Sequence, residues 1–83
     1  MDTREIEAGL LEFVRREIFA DDADITAESD LIAAGFDSMS LVRVLLHVET
    51  TYGLWIPANE ITGETLRNLN SLAAAVGRLL HDK

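Results

Sequence analysis

Apolar positions recur along this chain at spacings of three and four, and most of the runs open on a residue suited to capping a helix. Ile6, Leu10, Phe13, Val14 and Ile18 repeat in this way, with Glu17 completing the face. They follow Asp2-Thr3-Arg4-Glu5, which has the layout of a capping box. The pattern predicts a helix of about four turns with one buried stripe. A second run extends from Met39 to Tyr52, and Gly53 is placed to stop it in a left-handed conformation. Pro57 cannot continue a helix from before it but suits the first turn of a new one. The stretch from Ala58 to Leu66 therefore reads as a short, irregular third helix weakened by Gly63. Asn68 is positioned to cap a fourth, with Leu69, Leu72, Ala73, Val76, Leu79 and Leu80 along one side. No useful length alternates with period two, so strands are not expected.

The connection from Ala20 to Asp37 is long for a link between helices, where two to eight residues are usual. Ile25, Leu31 and Ile32 are expected to pin it to the core. The fold class that follows is all-α: a four-helix bundle of unequal helices with a long first loop and a short third helix. Eighty-three residues make one domain, residues 1–83, with a small core. Opening on Met1 and lacking an internal linker, the chain is expected to be an independent, monomeric subunit.

Composition narrows the chemistry. The absence of cysteine removes disulfides, thiolate metal sites and a cysteine nucleophile. No apolar run approaches a membrane span, and the N-terminus lacks a basic-then-apolar signal pattern, so a cytoplasmic protein is expected, with no membrane partner. A net charge of −8 argues against nucleic acid. Asp21, Asp22, Asp24, Glu28, Asp30 and Asp37 crowd the first loop without a base among them. Such a run is ordinarily a solvated face, and it is also a surface that steers basic partners.

Gly35-Phe36-Asp37-Ser38-Met39 places one serine hydroxyl where the polar loop becomes the second helix. A hydrolase would need a base within reach of Ser38. His47 lies nine residues along the same helix, about 13 Å of rise and half a rotation away. His81 is near the C-terminus, and no Gly-x-Ser-x-Gly elbow exists. Asp22-Ala23-Asp24-Ile25-Thr26 fails as a calcium loop, because Ala27 and Ala33 stand where the turn glycine and the bidentate acid belong. His47 and Glu49 point to different faces and read as surface residues, so no metal site is expected. What remains is a hydroxyl with nothing to activate it: no catalyst, but a good acceptor for chemistry done by another enzyme. A helix N-terminus suits a phosphodiester there. The plainer role of Asp37 and Ser38, as residues favoured at a helix cap, stands beside that reading.

Asp30-Leu31-Ile32 followed by Gly35-Phe36-Asp37-Ser38-Met39 resembles the "D-L…G-x-D-S-[LM]" signature of phosphopantetheine-dependent carrier proteins, the acyl, aminoacyl and peptidyl carriers. Leu45-Leu46-His47-Val48-Glu49 and Tyr52-Gly53-Leu54-Trp55-Ile56-Pro57 are similar to that family's second helix and its "F-G-[VI]-x-I-P", and Asn68-Leu69-Asn70-Ser71-Leu72 to the start of its last helix. The resemblance implies the acyl-carrier type of four-helix bundle and a non-catalytic subunit. It makes Ser38 the attachment point of a 4′-phosphopantetheine arm, added from coenzyme A by a phosphopantetheinyl transferase. Asp37 would position the serine, and Gly35 would permit the turn before the helix. The partners implied are that transferase, an acyl- or aminoacyl-loading ligase or transferase, and downstream synthase enzymes.

Within the second helix, Val44, Leu45, Val48 and Tyr52 form one stripe, read as core, while Met39, Val42 and Leu46 fall on a neighbouring stripe that in the family faces partners. Arg43 joins that surface. Trp55 sits where the family commonly has a polar residue, either as an interface anchor or as a cover for the short third helix. Fatty-acid carriers tend to be acidic along this helix, whereas here Ser40, Leu41 and Arg43 occupy the region. The segment Ala58 to Leu66 is also slightly longer than theirs. The expectation is a carrier in polyketide or nonribosomal-type secondary metabolism, with a fatty-acid carrier and an unmodified helical interaction protein as alternatives.

Overall fold

Helix α1 (Thr3–Phe13) starts where the Asp2 side chain accepts a hydrogen bond from the Arg4 N–H at 2.9 Å. It buries Ile6 and Leu10, then widens into a π-helical turn over Val14–Ile18, closed by the Phe19 N–H donating to the Val14 carbonyl at 2.9 Å. A π turn holds more residues per turn than an α-helix, so side chains beyond it rotate away from their α-helical positions. Glu17, expected on the buried face, is instead exposed and reaches Arg16 and Arg43. Helix α2 spans Ser38–Tyr52 and α3 spans Leu69–His81. The computed structural model describes residues 2–19 and 25–82; Asp21, Asp22 and Asp24 of the acidic run lie outside the described residues.

The all-α class is as the sequence predicts, with three α-helices among the described residues and a reduced element where the third of four was expected. Pro57 leads into a single 3₁₀ turn, Ala58–Glu60, and the chain then makes an irregular turn in which the Thr62 hydroxyl accepts from the Thr65 N–H at 3.1 Å. An Arg78–Glu60 ion pair ties this segment to α3. At the end of α2, Gly53 adopts the left-handed cap its position foretells, with φ 67° and ψ 30°.

Residues 30–36 of the first loop form a single helix-like turn. Asp30 caps it, accepting from the Ala33 N–H at 3.1 Å. Its end carries the paired hydrogen bonds of a Schellman motif: Phe36 N–H to the Leu31 carbonyl at 2.9 Å and Gly35 N–H to the Ile32 carbonyl at 3.1 Å, with Gly35 at φ 107°. Leu31 and Phe36, the two residues such a motif brings together, are both buried. Two further backbone bonds fasten the loop to the start of α3: Leu31 N–H to Arg67 carbonyl (3.0 Å) and Asn70 N–H to Ala27 carbonyl (3.1 Å). Ile25 and Leu31 pin the loop as expected, but Ile32 does not, at 63% exposure. One turn of helix can turn only one side inward, and Leu31 takes that side.

The core gathers Ile6, Leu10 and Val14 from the first helical segment, Leu31 and Phe36 from the loop, Val44 and Val48 from α2, and Leu69, Ala73 and Val76 from α3. Each large aliphatic side chain among them contributes about 1.5–3 kcal/mol by leaving water. Leu79 and Leu80 pack only partly buried at its edge, while Ala75, outside the predicted face, is buried.

Candidate functional site

The end of the loop and the start of α2 form one continuous device. Gly35 reverses the chain, Phe36 anchors it in the core, and Asp37 takes the extended backbone of an N-cap, with φ −120° and ψ −173°. The Asp37 Oδ1 accepts from both the Ser40 N–H (2.9 Å) and the Ser40 hydroxyl (3.0 Å). Those two bonds, backbone first, hold the Asp37 carboxyl below the usual carboxylate range against an opposing desolvation, with smaller help from the amides of Asp37 and Met39. The carboxylate is thus ionised and oriented by its own helix.

Ser38 is the first residue of α2 and is exposed, and among the described residues no group hydrogen-bonds its hydroxyl. Beside it lies a shallow hollow of about 170 Å³, walled by Ile32, Phe36, Asp37, Ser38, Leu41 and Leu66. The surroundings offer a hydroxyl, a fixed carboxylate, the first-turn amides of a helix and an aliphatic wall, and of these the amides favour negative charge.

Among the described residues, neither histidine hydrogen-bonds Ser38. The His47 ring stacks on Phe13, with centroids 4.2 Å apart and planes 19° from parallel, and its Nδ1 lies 3.4 Å from the Thr51 hydroxyl. Burial, then the Arg16 charge, push its pKa down. His47 is therefore no plain surface residue: the packing of α2 against the end of α1 half-buries it. His81 is exposed in the last turn of α3, and among the described residues no cluster of three or more acids and histidines could hold a metal.

Of the expected docking residues, Met39 (71% exposed), Val42, Leu46 and Trp55 all reach solvent, while Val44, Leu45 and Val48 are buried and Tyr52 half-buried. Arg43 shares the Met39–Leu46 stripe, and its guanidinium lies 3.2 Å from Glu17. Trp55 stands apart, beyond the C-cap of α2, held between buried Leu54 and Ile56. Two partners escaped the sequence reading. Glu17 was hidden because nothing in its neighbourhood signals a π turn, and the hollow of Ile32, Leu41 and Leu66 because it draws on three separate segments.

A family profile described as "Phosphopantetheine attachment site" matches residues 8–76. Aminoacyl carrier protein 1 of Bradyrhizobium diazoefficiens is 35% identical over 54 residues, 65% of this chain; the match spans about 60% of that relative's length. The D-alanyl carrier protein of Streptococcus suis is 28% identical over 98% of this chain and 99% of its own. Among solved structures, a chain in the complex of Bradyrhizobium japonicum glycine:[carrier protein] ligase with its cognate carrier protein and an analogue of glycyl adenylate is similar. It superposes with a TM-score of 0.70 at 28% identity, covering 92% of this chain and 96% of that one.

Proposed function

We propose, for a chain that belongs to the phosphopantetheine-attachment family, that Ser38 bears the arm and that the cargo is an amino acid. Members of this family are non-catalytic carriers whose prosthetic group is 4′-phosphopantetheine, and partner enzymes act on what they hold. The observation that carries the assignment of Ser38 is its exposed, unbonded hydroxyl at the first position of α2, next to a carboxylate fixed by Ser40. In the loading step the Ser38 Oγ–phosphorus bond forms as the pyrophosphate linkage of coenzyme A breaks. The nucleotide leaves as adenosine 3′,5′-bisphosphate, and the hydroxyl proton passes to a base of the transferase. Asp37 and Gly35 set the pose of that hydroxyl, and the first-turn amides of α2 favour the phosphodiester charge. When attached, the arm supplies a terminal thiol that holds a carboxylic acid as a thioester. The tether also keeps that acid at high effective concentration near each docked enzyme.

The aminoacyl reading is supported by the relatives, which are named as aminoacyl and D-alanyl carriers. The partner that follows is an aminoacyl ligase; a phosphopantetheinyl transferase precedes it and downstream synthase enzymes come after. Met39, Val42, Arg43 and Leu46 are the surface we assign to these partners, with Trp55 as a separate anchor. The pathway we infer is nonribosomal-type secondary metabolism rather than polyketide synthesis, because the relatives are named for amino-acid cargo. A cytoplasmic setting fits the need for coenzyme A, and no described helix is long and apolar enough to cross a membrane.

The test is intact mass after incubation with coenzyme A and a promiscuous phosphopantetheinyl transferase. One phosphopantetheine unit should be gained by the wild-type chain and none by Ser38→Ala. No gain by a folded wild-type chain, with the transferase active on a control carrier, overturns the assignment. Incubating the loaded form with aminoacyl and fatty-acyl ligases then decides the cargo class.

A further inference from the structure

We propose that Arg16 and Arg43 form a carboxylate clamp, filled by Glu17 in the free chain and by an acidic side chain of a partner protein when α2 docks. The inference rests on the reading of Met39, Val42 and Leu46 as a docking stripe, and it is independent of the arm. The Glu17 carboxylate lies between two guanidiniums from different elements. Its Oε2 accepts from the Arg16 Nε at 3.2 Å and its Oε1 from the Arg43 Nη2 at 3.2 Å. The π turn brings this about, by rotating Glu17 away from the core face of the first helical segment and toward α2. On α2, Arg43 comes four residues after Met39 and three before Leu46, so it neighbours both on the helix surface.

The occupant of the clamp is easily exchanged. Arg43 and Glu17 keep 49% and 40% of their side chains in water, their bond is long for a charge-assisted one, and such exposed pairs contribute little to folding. An arginine has five N–H donors, and among the described residues Glu17 is the one acid paired with Arg43. Two guanidiniums that already hold one carboxylate between them suit another of the same shape. Charge favours an acidic partner over a basic one at this seam. Arg15, Arg16 and Arg43, three of the chain's seven basic residues, are placed along it although the net charge is −8. Helix α2 itself carries a single acid, Glu49. The matching surface is an apolar groove for the stripe with a carboxylate at its rim. That describes a protein, since nucleic acid or an anionic membrane is repelled by the negative charge of the rest of the chain.

The experiment titrates the unmodified full chain, ¹⁵N-labelled, with a synthetic helical peptide whose leucine stripe is flanked by glutamates, at low salt. The same peptide with lysines in place of the glutamates, and phosphatidylglycerol vesicles, are the other two probes. The glutamate peptide should shift the Nε–H signals of Arg16 and Arg43 together with the amides of Met39 and Leu46. Glu17→Gln vacates the clamp and should tighten binding about twofold to fivefold, the range that exposed ion pairs allow. Arg16→Gln and Arg43→Gln should weaken it. Glu49→Gln removes the same charge from α2 outside the clamp and should change the affinity less. Shifts at the two arginines with Met39 and Leu46 unmoved support the clamp and count against the docking stripe; the reverse pattern overturns the clamp and keeps the stripe. The proposal is also overturned if the glutamate peptide does not bind, or if the lysine peptide or the vesicles bind as tightly. It falls equally if Glu17→Gln leaves the affinity unchanged or weakens it, or if Glu49→Gln has as large an effect.

Discussion

Gly35→Ala tests whether the loop geometry, rather than the serine motif alone, makes the site. Gly35 stands at φ 107°, a conformation L-residues rarely adopt, while the nearest atom to an added Cβ is a Phe19 ring carbon at 4.0 Å. There is room for the methyl group, so the cost is backbone strain, about 1–3 kcal/mol. For a chain of this length total stability is roughly 4–12 kcal/mol, and each kcal/mol moves Tm by about 4–8 °C. A drop of several degrees is therefore expected. Gly63→Ala is the internal control. Gly63 has no positive φ and nothing within 4 Å of an added Cβ. There the substitution should stabilise by about 0.4–1 kcal/mol, by restricting the unfolded chain. Urea unfolding followed by far-UV circular dichroism measures both variants. Gly35→Ala should also slow phosphopantetheine transfer to Ser38 at temperatures where it is fully folded, because the Schellman turn sets where Asp37 enters its cap. The reasoning is refuted if Gly35→Ala leaves the unfolding midpoint unchanged, or if the two variants shift it in the same direction.

Two further outcomes follow from the seam between α1 and α2. The folded pKa of His47 lies below the ordinary 6.5, so as pH falls the unfolded chain takes up the proton first. Its stabilising contribution is complete above that value and is lost as pH falls through the lower folded one; urea midpoints measured on either side should show this slope, and His47→Phe should flatten it. Arg43 and Glu17 are both well exposed, and such a surface pair contributes about 0–1 kcal/mol. Arg43→Glu should therefore leave Tm nearly unchanged yet raise the KM of aminoacyl loading without lowering kcat. An unchanged KM would remove Arg43 from the docking surface.

Much of the site was legible because caps and turns are local. Gly35, Asp37, Gly53 and Asn68 each act within about five residues of themselves, through a short polar side chain or a backbone conformation that few residue types provide. The three- and four-residue spacing separated buried Val44 and Val48 from exposed Met39 and Leu46 for the same reason, since helix geometry fixes angle from number alone. Short elements were less legible. The expected third helix became one 3₁₀ turn because a helix costs more to start than a few residues with Pro57 and Gly63 can recover.

By itself, then, the sequence determined the helical class, the caps and the place of Ser38, all of which depend on bonds between near neighbours. Tertiary structure alone decided the π turn that swings Glu17 to Arg43, the half-burial of His47 against Phe13, and the meeting of Ile32, Leu41 and Leu66 beside the serine. Those contacts join residues up to 34 positions apart along the chain, and no local preference of any one of them encodes where the others come to rest.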